Sequence, residues 1–269
     1  MLDFAAVGDN CIDRYLPPIG LSLVGGNAIN VGVQLSRIGH RVAYFGAVGD
    51  DADGRRTLKA LADNRVDIAN AETRPGITAY TDIAVDASGD RFMAFEEFGV
   101  CAEYRPSEAD LERILAAGHV HIGWLADGGA LRRTLSERGV SVSQDVSVNA
   151  GADNLGVAGL SVAFASAGAD RAAGEALAAR LLADGAVLAV VTLGSLGSLA
   201  TDGRETVSTT IRTVEVVDTT GAGDSFIAGF LSARSKGLGL QACLEAGREV
   251  AAVTCTHVGG FRQEPMRLL

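Results

Sequence analysis

The stretch Val216-Val217-Asp218-Thr219-Thr220-Gly221-Ala222-Gly223-Asp224-Ser225-Phe226-Ile227-Ala228-Gly229-Phe230-Leu231 changes character along its length. A β-branched run ends at Asp218, small residues follow, and an amphipathic helix takes over, with Phe226, Ile227, Phe230 and Leu231 recurring on one face. Glycines at 221 and 223 permit a tight turn whose free N–H groups face an anion at the helix start. A phosphoryl group in transfer requires fixed donors of that kind. Asp224 falls in the first helical turn, where its carboxylate can orient an acceptor hydroxyl and take its proton. An acidic residue that merely answers the helix dipole would explain a lone GxGD, but not the whole string.

Outward from this stretch, short apolar runs alternate with helical patterns, the mark of βαβ units and a mostly parallel sheet. Core strands are expected at 4–7, 42–48, 119–124, 140–146, 162–165 and 187–193, where β-branched residues and flanking glycines favour strands over helix fragments. Helices are expected to begin near Asn27, Asp53, Ser107, Gly128, Arg171, Gly221 and Gly239. Ser107 followed by Asp110 reads as an N-cap with an acidic first turn, and Gly39 is placed to end the helix from Asn27. Residues 76–99 break the alternation: 78–85 and 91–95 read as a hairpin joined by a turn at 86–90, a lid over a site at the sheet's carboxyl edge or a plain edge hairpin.

The chain has 269 residues, 48% of them apolar and 21% charged, enough for one large α/β core with a small appendage. A formal net charge of −10 with no basic cluster argues against nucleic acid as partner. It leaves room for a phosphate held in a nest of amides. Cys11, Cys101, Cys243 and Cys255 form no CxxC pair and read as buried free thiols. The N-terminus shows no signal-peptide pattern and no apolar run is long enough to span a bilayer, so a cytoplasmic protein with no membrane partner is expected. The first strand lacks the G-x-G-x-x-G that a dinucleotide-binding dehydrogenase would need.

A second glycine-led helix start, Gly25-Gly26-Asn27-Ala28-Ile29-Asn30-Val31-Gly32, lies near the N-terminus with a polar inner edge. Together, in this order, the two motifs closely resemble the signatures of the ribokinase-like (PfkB-type) carbohydrate kinases. Ala47-Val48-Gly49-Asp50-Asp51-Ala52-Asp53-Gly54 and Val190-Val191-Thr192-Leu193-Gly194-Ser195-Leu196-Gly197 are similar to two further family segments, so the likeness runs along the whole chain.

The resemblance implies an α/β fold, a ribokinase-like three-layer sandwich with a mostly parallel central sheet and a small β lid, formed by about 11–20 and 76–100 within one domain of residues 1–269. It implies Asp224 as catalytic base beside Gly221, Ala222 and Gly223. On the acceptor it places Asp9, Asn10, Asp13, Gly25, Gly26, Asn27 and Asn30. Thr192, Gly194, Thr219, Gly221 and Gly223 fall to the nucleotide, with Gly197 structural, and Ala251, Cys255 and Val258 are assigned to the adenine pocket by position alone. ATP and Mg²⁺ are the implied cofactors; monovalent-cation dependence stays open, and a homodimer paired through the lid is expected. One departure stands out. Family members commonly carry Asn-x-x-Glu near the metal, where this chain reads Ser166-Ala167-Gly168-Ala169, leaving Asp170 or Glu175 as substitutes and the metal ligands unassigned.

Within the family the nearest likeness is to the branch acting on fructosamines, through Val7-Gly8-Asp9-Asn10-Cys11-Ile12-Asp13, the short segment before Gly25, Phe164-Ala165-Ser166-Ala167 and Phe95-Glu96-Glu97-Phe98-Gly99-Val100. That implies phosphorylation of the 6-hydroxyl of fructoselysine or a related fructosamine, with Glu97 or Glu96 facing the cationic amine and Asp145 adding a further contact. A kinase for fructose, ribose or 2-keto-3-deoxygluconate is the alternative, and a non-catalytic sugar or nucleotide sensor a more distant one.

Overall fold

In a computed structural model, residues 2–85, 91–148 and 150–268 are described, so the turn expected at 86–90 lies outside the described residues. The chain opens with β1 (Phe4–Val7), β2 (Cys11–Tyr15), β3 (Leu21–Gly25), α1 (Asn27–Arg37), β4 (Val42–Gly49), α2 (Ala52–Asp63) and β5 (Ala71–Arg74). There follow β6 (Tyr80–Val85), β7 (Arg91–Glu97), α3 (Glu108–Leu115), β8 (His119–Ile122), α4 (Ala130–Glu137) and β9 (Val142–Asp145). The last third holds β10 (Val162–Ser166), α5 (Arg171–Ala183), β11 (Ala189–Thr192), β12 (Ser198–Thr201), β13 (Thr206–Thr209), α6 (Ala222–Ser235), α7 (Leu240–Thr254) and β14 (Met266–Arg267).

Nine strands form one sheet in the order β13-β12-β11-β10-β9-β8-β1-β4-β5. Pairings from β5 to β11 are parallel, and β12 and β13 add an antiparallel edge. Because successive strand residues face opposite sides, Phe4 and Ala6 pack with α1, α2, α6 and α7, while Ala5 and Val7 pack with α3, α4 and α5. The expected three-layer α/β fold with a mostly parallel central sheet is thus present. Ser107 and Asp110 form the anticipated reciprocal cap on α3.

Two local expectations differ, and the β-branched run before Asp218 forms no strand: Val216 and Val217 are exposed, and the N–H groups of Val217 and Asp218 bond to the carbonyl of Cys255 at the end of α7. Helix α6 is not one-sided. It lies between α1 and α7, so residues 225–233 are all buried rather than a single apolar stripe. Of the four free thiols, Cys101 and Cys243 are buried, but Cys11 and Cys255 are only half-buried.

The segments expected as a lid, 11–20 and 76–100, contribute strands to a second, five-stranded sheet, β14-β3-β2-β6-β7 (the lid sheet), that also takes in Leu21–Gly25 and Met266–Arg267. The hairpin of β6 and β7 docks on it by parallel pairing of β6 with β2, and Arg14 grips Asp82 through two hydrogen bonds of 2.6 and 2.8 Å while lying 3.6 Å over the ring of Tyr80.

Candidate active site

The carboxyl ends of β1, β8, β9, β10 and β11 share one edge of the large sheet, and the first turns of α1 and α6 open onto it. Between this edge and the lid sheet lies a cleft of about 530 Å³. Asp9, Asn10, Asp13, Gly26, Asn27, Asn30, Glu97, Asp145, Thr192, Thr219, Gly221, Gly223 and Asp224, all singled out from the sequence, line it together. Ser166, Thr220, Glu96 and Trp124 join them.

Asp224 stands in the first turn of α6. Its Oδ1 accepts from Asn27 Nδ2 at 2.7 Å and its Oδ2 from Asn30 Nδ2 at 2.7 Å, which points the carboxylate into the cleft. Burial pushes its pKa up to about 7, helped by the negative charges of Asp145 and Asp9 and opposed by the two asparagine donors. A carboxyl poised near neutrality is suited to general-base work. Gly221 has φ of 72°, and a Cβ there would come within 2.3 Å of Gly260 Cα, so glycine alone fits this helix entry. Ala222 N–H turns back to the carbonyl of Thr219 at 3.1 Å. It is therefore not part of the amide cradle read from the sequence. The N–H groups of Gly223 and Asp224 have no acceptor among the described residues, and Gly223 is open to the cleft.

Asp9 acts first on the protein itself. Gly26 caps α1 with φ of 102° and no side chain, and Asp9 from the loop after β1 supplies the missing acceptor. Its Oδ2 takes the N–H of Asn27 at 2.6 Å, and its Oδ1 those of Ala28 and Trp124 at 3.1 and 3.0 Å. Asp13 is buried on β2, and burial pushes its pKa up to about 7, with Cys11 pulling it down and Asp218 and Asp9 pushing it further up. Asp145 ends β9, accepts from Asn27 Nδ2 at 3.0 Å and Ser147 Oγ at 2.6 Å, and burial also raises its pKa.

Several expectations need correction. Asn10 directs its Nδ2 away from the cleft, to Tyr44 Oη, the Ala47 carbonyl and Cys101 Sγ, so its donors serve the core beneath. Gly25 is not on the cleft wall; a Cβ there would lie 2.2 Å from Asp13 Oδ2, and its role is to leave that carboxylate room. Gly194 turns the chain with φ of 53° but does not line the cleft. Ala251, Cys255 and Val258, placed by position in an adenine pocket, lie away from this cleft, Ala251 packing against the core and Val258 against Tyr15, Leu23 and Ile83. Asp170 caps α5, and Glu175 lies on the surface 3.9 Å from Arg171. Gly197 is structural, as read: with φ of 100°, a Cβ would overlap the Thr209 carbonyl.

Two contributors had no sequence motif. Trp124, just past β8, stacks on Phe98, just past β7, with ring centroids 4.2 Å apart, and so joins the lid to the sheet edge. Tyr15 on β2 reaches Asp218 before α6. Among the described residues no three His, Cys, Asp or Glu side chains converge on a metal position, and no helix is long and apolar enough to cross a membrane.

Comparison with known proteins agrees with this geometry. A family model described as pfkB family carbohydrate kinase matches residues 22–150 and 158–265. Fructoselysine 6-kinase of Shigella flexneri is 34% identical over 263 residues, covering 97% of this chain and 100% of that protein. Fructosamine kinase FrlD of Bacillus subtilis is 31% identical over 264 residues, covering 95% and 92%. Among solved structures, Arabidopsis thaliana ribokinase complexed with ribose and ATP superposes with a TM-score of 0.83 at 22% identity, covering 96% of this chain and 94% of that one.

Proposed function

We propose, starting from the fact that this chain belongs to the pfkB family of carbohydrate kinases, that the hydroxyl it phosphorylates is carried by a fructosamine, with the 6-hydroxyl of fructoselysine as the reference case. ATP-dependent transfer to a sugar-type hydroxyl is the family's reaction, and this chain is a sugar kinase. The observation that carries the acceptor reading is electrostatic. Asp9, Asp13, Glu96, Glu97, Asp145 and Asp224 line the cleft, and no Lys, Arg or His does among the described residues. A fructosamine brings a secondary amine that is cationic at neutral pH, and its charge complements such walls. An anionic acceptor such as 2-keto-3-deoxygluconate would be repelled.

In this reading Asp13, Asn30 and Asp145 hold the sugar hydroxyls, Asn27 holds the carboxylates of Asp145 and Asp224 in place, and Glu96 and Glu97 face the amine. Asp224 accepts a hydrogen bond from the 6-hydroxyl and takes its proton as the oxygen forms its bond to the γ-phosphorus and the bond to ADP breaks. The free N–H groups of Gly223 and Asp224 answer the charge on the phosphoryl oxygens. Thr192, Ser166, Thr219 and Thr220 border the same space and suit the rest of the triphosphate. With no protein-only cage among the described residues, a Mg²⁺ ion would be held mainly by the nucleotide phosphates, whose charge it would neutralise. Strand β7 is an edge of the lid sheet and exposes Phe92, Met93 and Phe95 on it, which supports pairing with a second copy.

The test is ADP release with Mg-ATP across fructoselysine, fructose, ribose and 2-keto-3-deoxygluconate. Selective turnover of the fructosamine is expected. Efficient turnover of a plain sugar with the fructosamine silent would overturn the acceptor reading and keep the kinase.

A further inference from the structure

Strands paired in parallel and covered by helices on both sides are expected to be apolar throughout. β8 and β9 break that rule at alternate positions. Val120, Ile122 and Val142 face the core shared with α3, α4 and α5. His119 and His121, with Ser141, Ser143 and Asp145 beside them, face the α1 side, where His121 meets Asn27 and Phe164. The register His121↔Ser143 brings these polar side chains into line. Ser141 Oγ lies 2.8 Å from His119 Nδ1, His119 Nε2 2.8 Å from Ser143 Oγ, and Ser143 Oγ 3.0 Å from His121 Nδ1. The chain ends with His121 Nε2 at 3.0 Å from Asn27 Oδ1, on the residue whose Nδ2 holds Asp224 and Asp145.

The direction of every bond follows from the last one. Asn27 turns its NH₂ to two carboxylates, so its Oδ1 is an acceptor and His121 Nε2 must carry the hydrogen. Burial lowers both histidines to about 3, so each imidazole is neutral with one N–H. His121 Nδ1 is then bare and accepts from the Ser143 hydroxyl. Ser143 Oγ accepts from His119 Nε2–H, and His119 Nδ1 accepts from Ser141. All donors in the chain point toward the catalytic carboxylate.

We propose that His121 is a positioning residue for the phosphoryl-transfer base: its Nε2–H, held by Ser143 and His119, locks the Asn27 amide with its NH₂ toward Asp224. This rests on the reading of Asp224 as the base. The lock matters because Asp224 is close to half-protonated near neutrality. A flipped Asn27 would offer its oxygen to the protonated, inactive carboxyl and stabilise it. The charged groups facing Asp224 are Asp145 and Asp9, both anionic when ionised, so they favour its protonation while the amides of Asn27 and Asn30 oppose it.

The test has a spectroscopic and a kinetic arm. In ¹⁵N-histidine spectra of the whole protein, His119 and His121 are expected to stay neutral Nε2–H tautomers over roughly pH 5.5–8.5. An Nδ1–H tautomer at His121, or its titration in that range, would overturn the proposal. His121→Phe is expected to lower kcat at neutral pH on the order of tenfold, the effect of one misdirected bond to a charged group. KM should stay within about threefold, and the acid limb of kcat should move to higher pH. His121→Gln, whose amide can donate from the same place, should recover most of the rate. A folded His121→Phe with wild-type kcat and an unmoved acid limb, beside an inactive Asp224→Asn, would overturn the positioning role alone. An active Asp224→Asn would instead overturn the base assignment.

Discussion

Tyr15 on β2 of the lid sheet donates its hydroxyl to Asp218 Oδ2 at 2.8 Å across 203 residues of sequence, tying that sheet to the turn that leads into α6 and Asp224. The same oxygen accepts from Gly259 N–H at 2.9 Å, and Oδ1 takes the N–H and hydroxyl of Thr220 at 3.1 and 2.9 Å. Burial opposes ionisation of Asp218, but these donors hold its carboxyl below the ordinary aspartate range. Tyr15→Phe should therefore cost about 1 kcal/mol of stability. It should also raise KM for the acceptor more than for ATP, because β2 carries Asp13 as well. Thermal unfolding and steady-state kinetics on both substrates check this.

Asp224→Asn should lower kcat by about 10²–10⁴, the usual contribution of a positioned base. Acceptor KM should change little, since the contacts of Asp13 and Asp145 remain. Single-turnover measurement of phosphoryl transfer checks it.

The pKa of about 7 at Asp224 sets the sign of the pH response. The base works ionised, so kcat should rise with pH through about 7 and level off above. Stability runs the other way. A carboxyl raised in the folded state contributes stability that is fully present below its unfolded value near 3.8 and lost as pH rises through about 7. The Tm of Asp224→Asn relative to the wild type should increase over that interval, and a pH series of thermal melts would show it.

Glu96→Gln with Glu97→Gln should raise KM for a fructosamine several-fold, on the order of 1 kcal/mol for partly exposed charges. Turnover of plain fructose should be unchanged. Added salt should weaken fructosamine binding in the wild type and much less in the double variant. The comparison of KM at low and high ionic strength is the readout.

Gly26→Ala should remove activity before it removes the fold. With φ of 102°, a Cβ at this position would sit 2.8 Å from Asn10 Cα, so the entry to α1 must shift. The strain is on the order of 1–3 kcal/mol, and it displaces Asn27, which bonds to both Asp145 and Asp224. Loss of kcat with a Tm drop of only a few degrees is the expected pair of results.

Much of this molecule was legible in the chain. The glycine-led helix starts at Gly26 and Gly221 and the reciprocal cap at Ser107 are local devices, written in consecutive residues. Other features were misread because their partners are distant. The apolar residues of α6 looked one-sided until α1 and α7 closed around the helix. Asp9 read as a sugar ligand, yet it also caps α1 because Gly26 has no side chain to do so. Asn10, beside it, turns its donors into the core. Polar residues at every second position of His119-Val120-His121 and Ser141-Val142-Ser143 were the available sign of the buried chain beneath the site, and only the strand register gave it meaning.

By itself, then, the sequence determined the alternation of core strands and helices, where the helix carrying Asp224 begins, and that Asp224 sits at its first turn. Periodicity, turn chemistry and a motif act over a few residues and need no partner to be recognised. Only the tertiary structure decided which carboxylates converge and which way each amide faces. Asn27 meets Asp145 and Asp224 across 118 and 197 residues, and it does so because strands of different chain position end on one edge of a single sheet. Hydrogen-bond direction at that meeting is set by His121, Asn27, Asp145 and Asp224 pairing donors with acceptors, a condition that packing imposes rather than any stretch of chain.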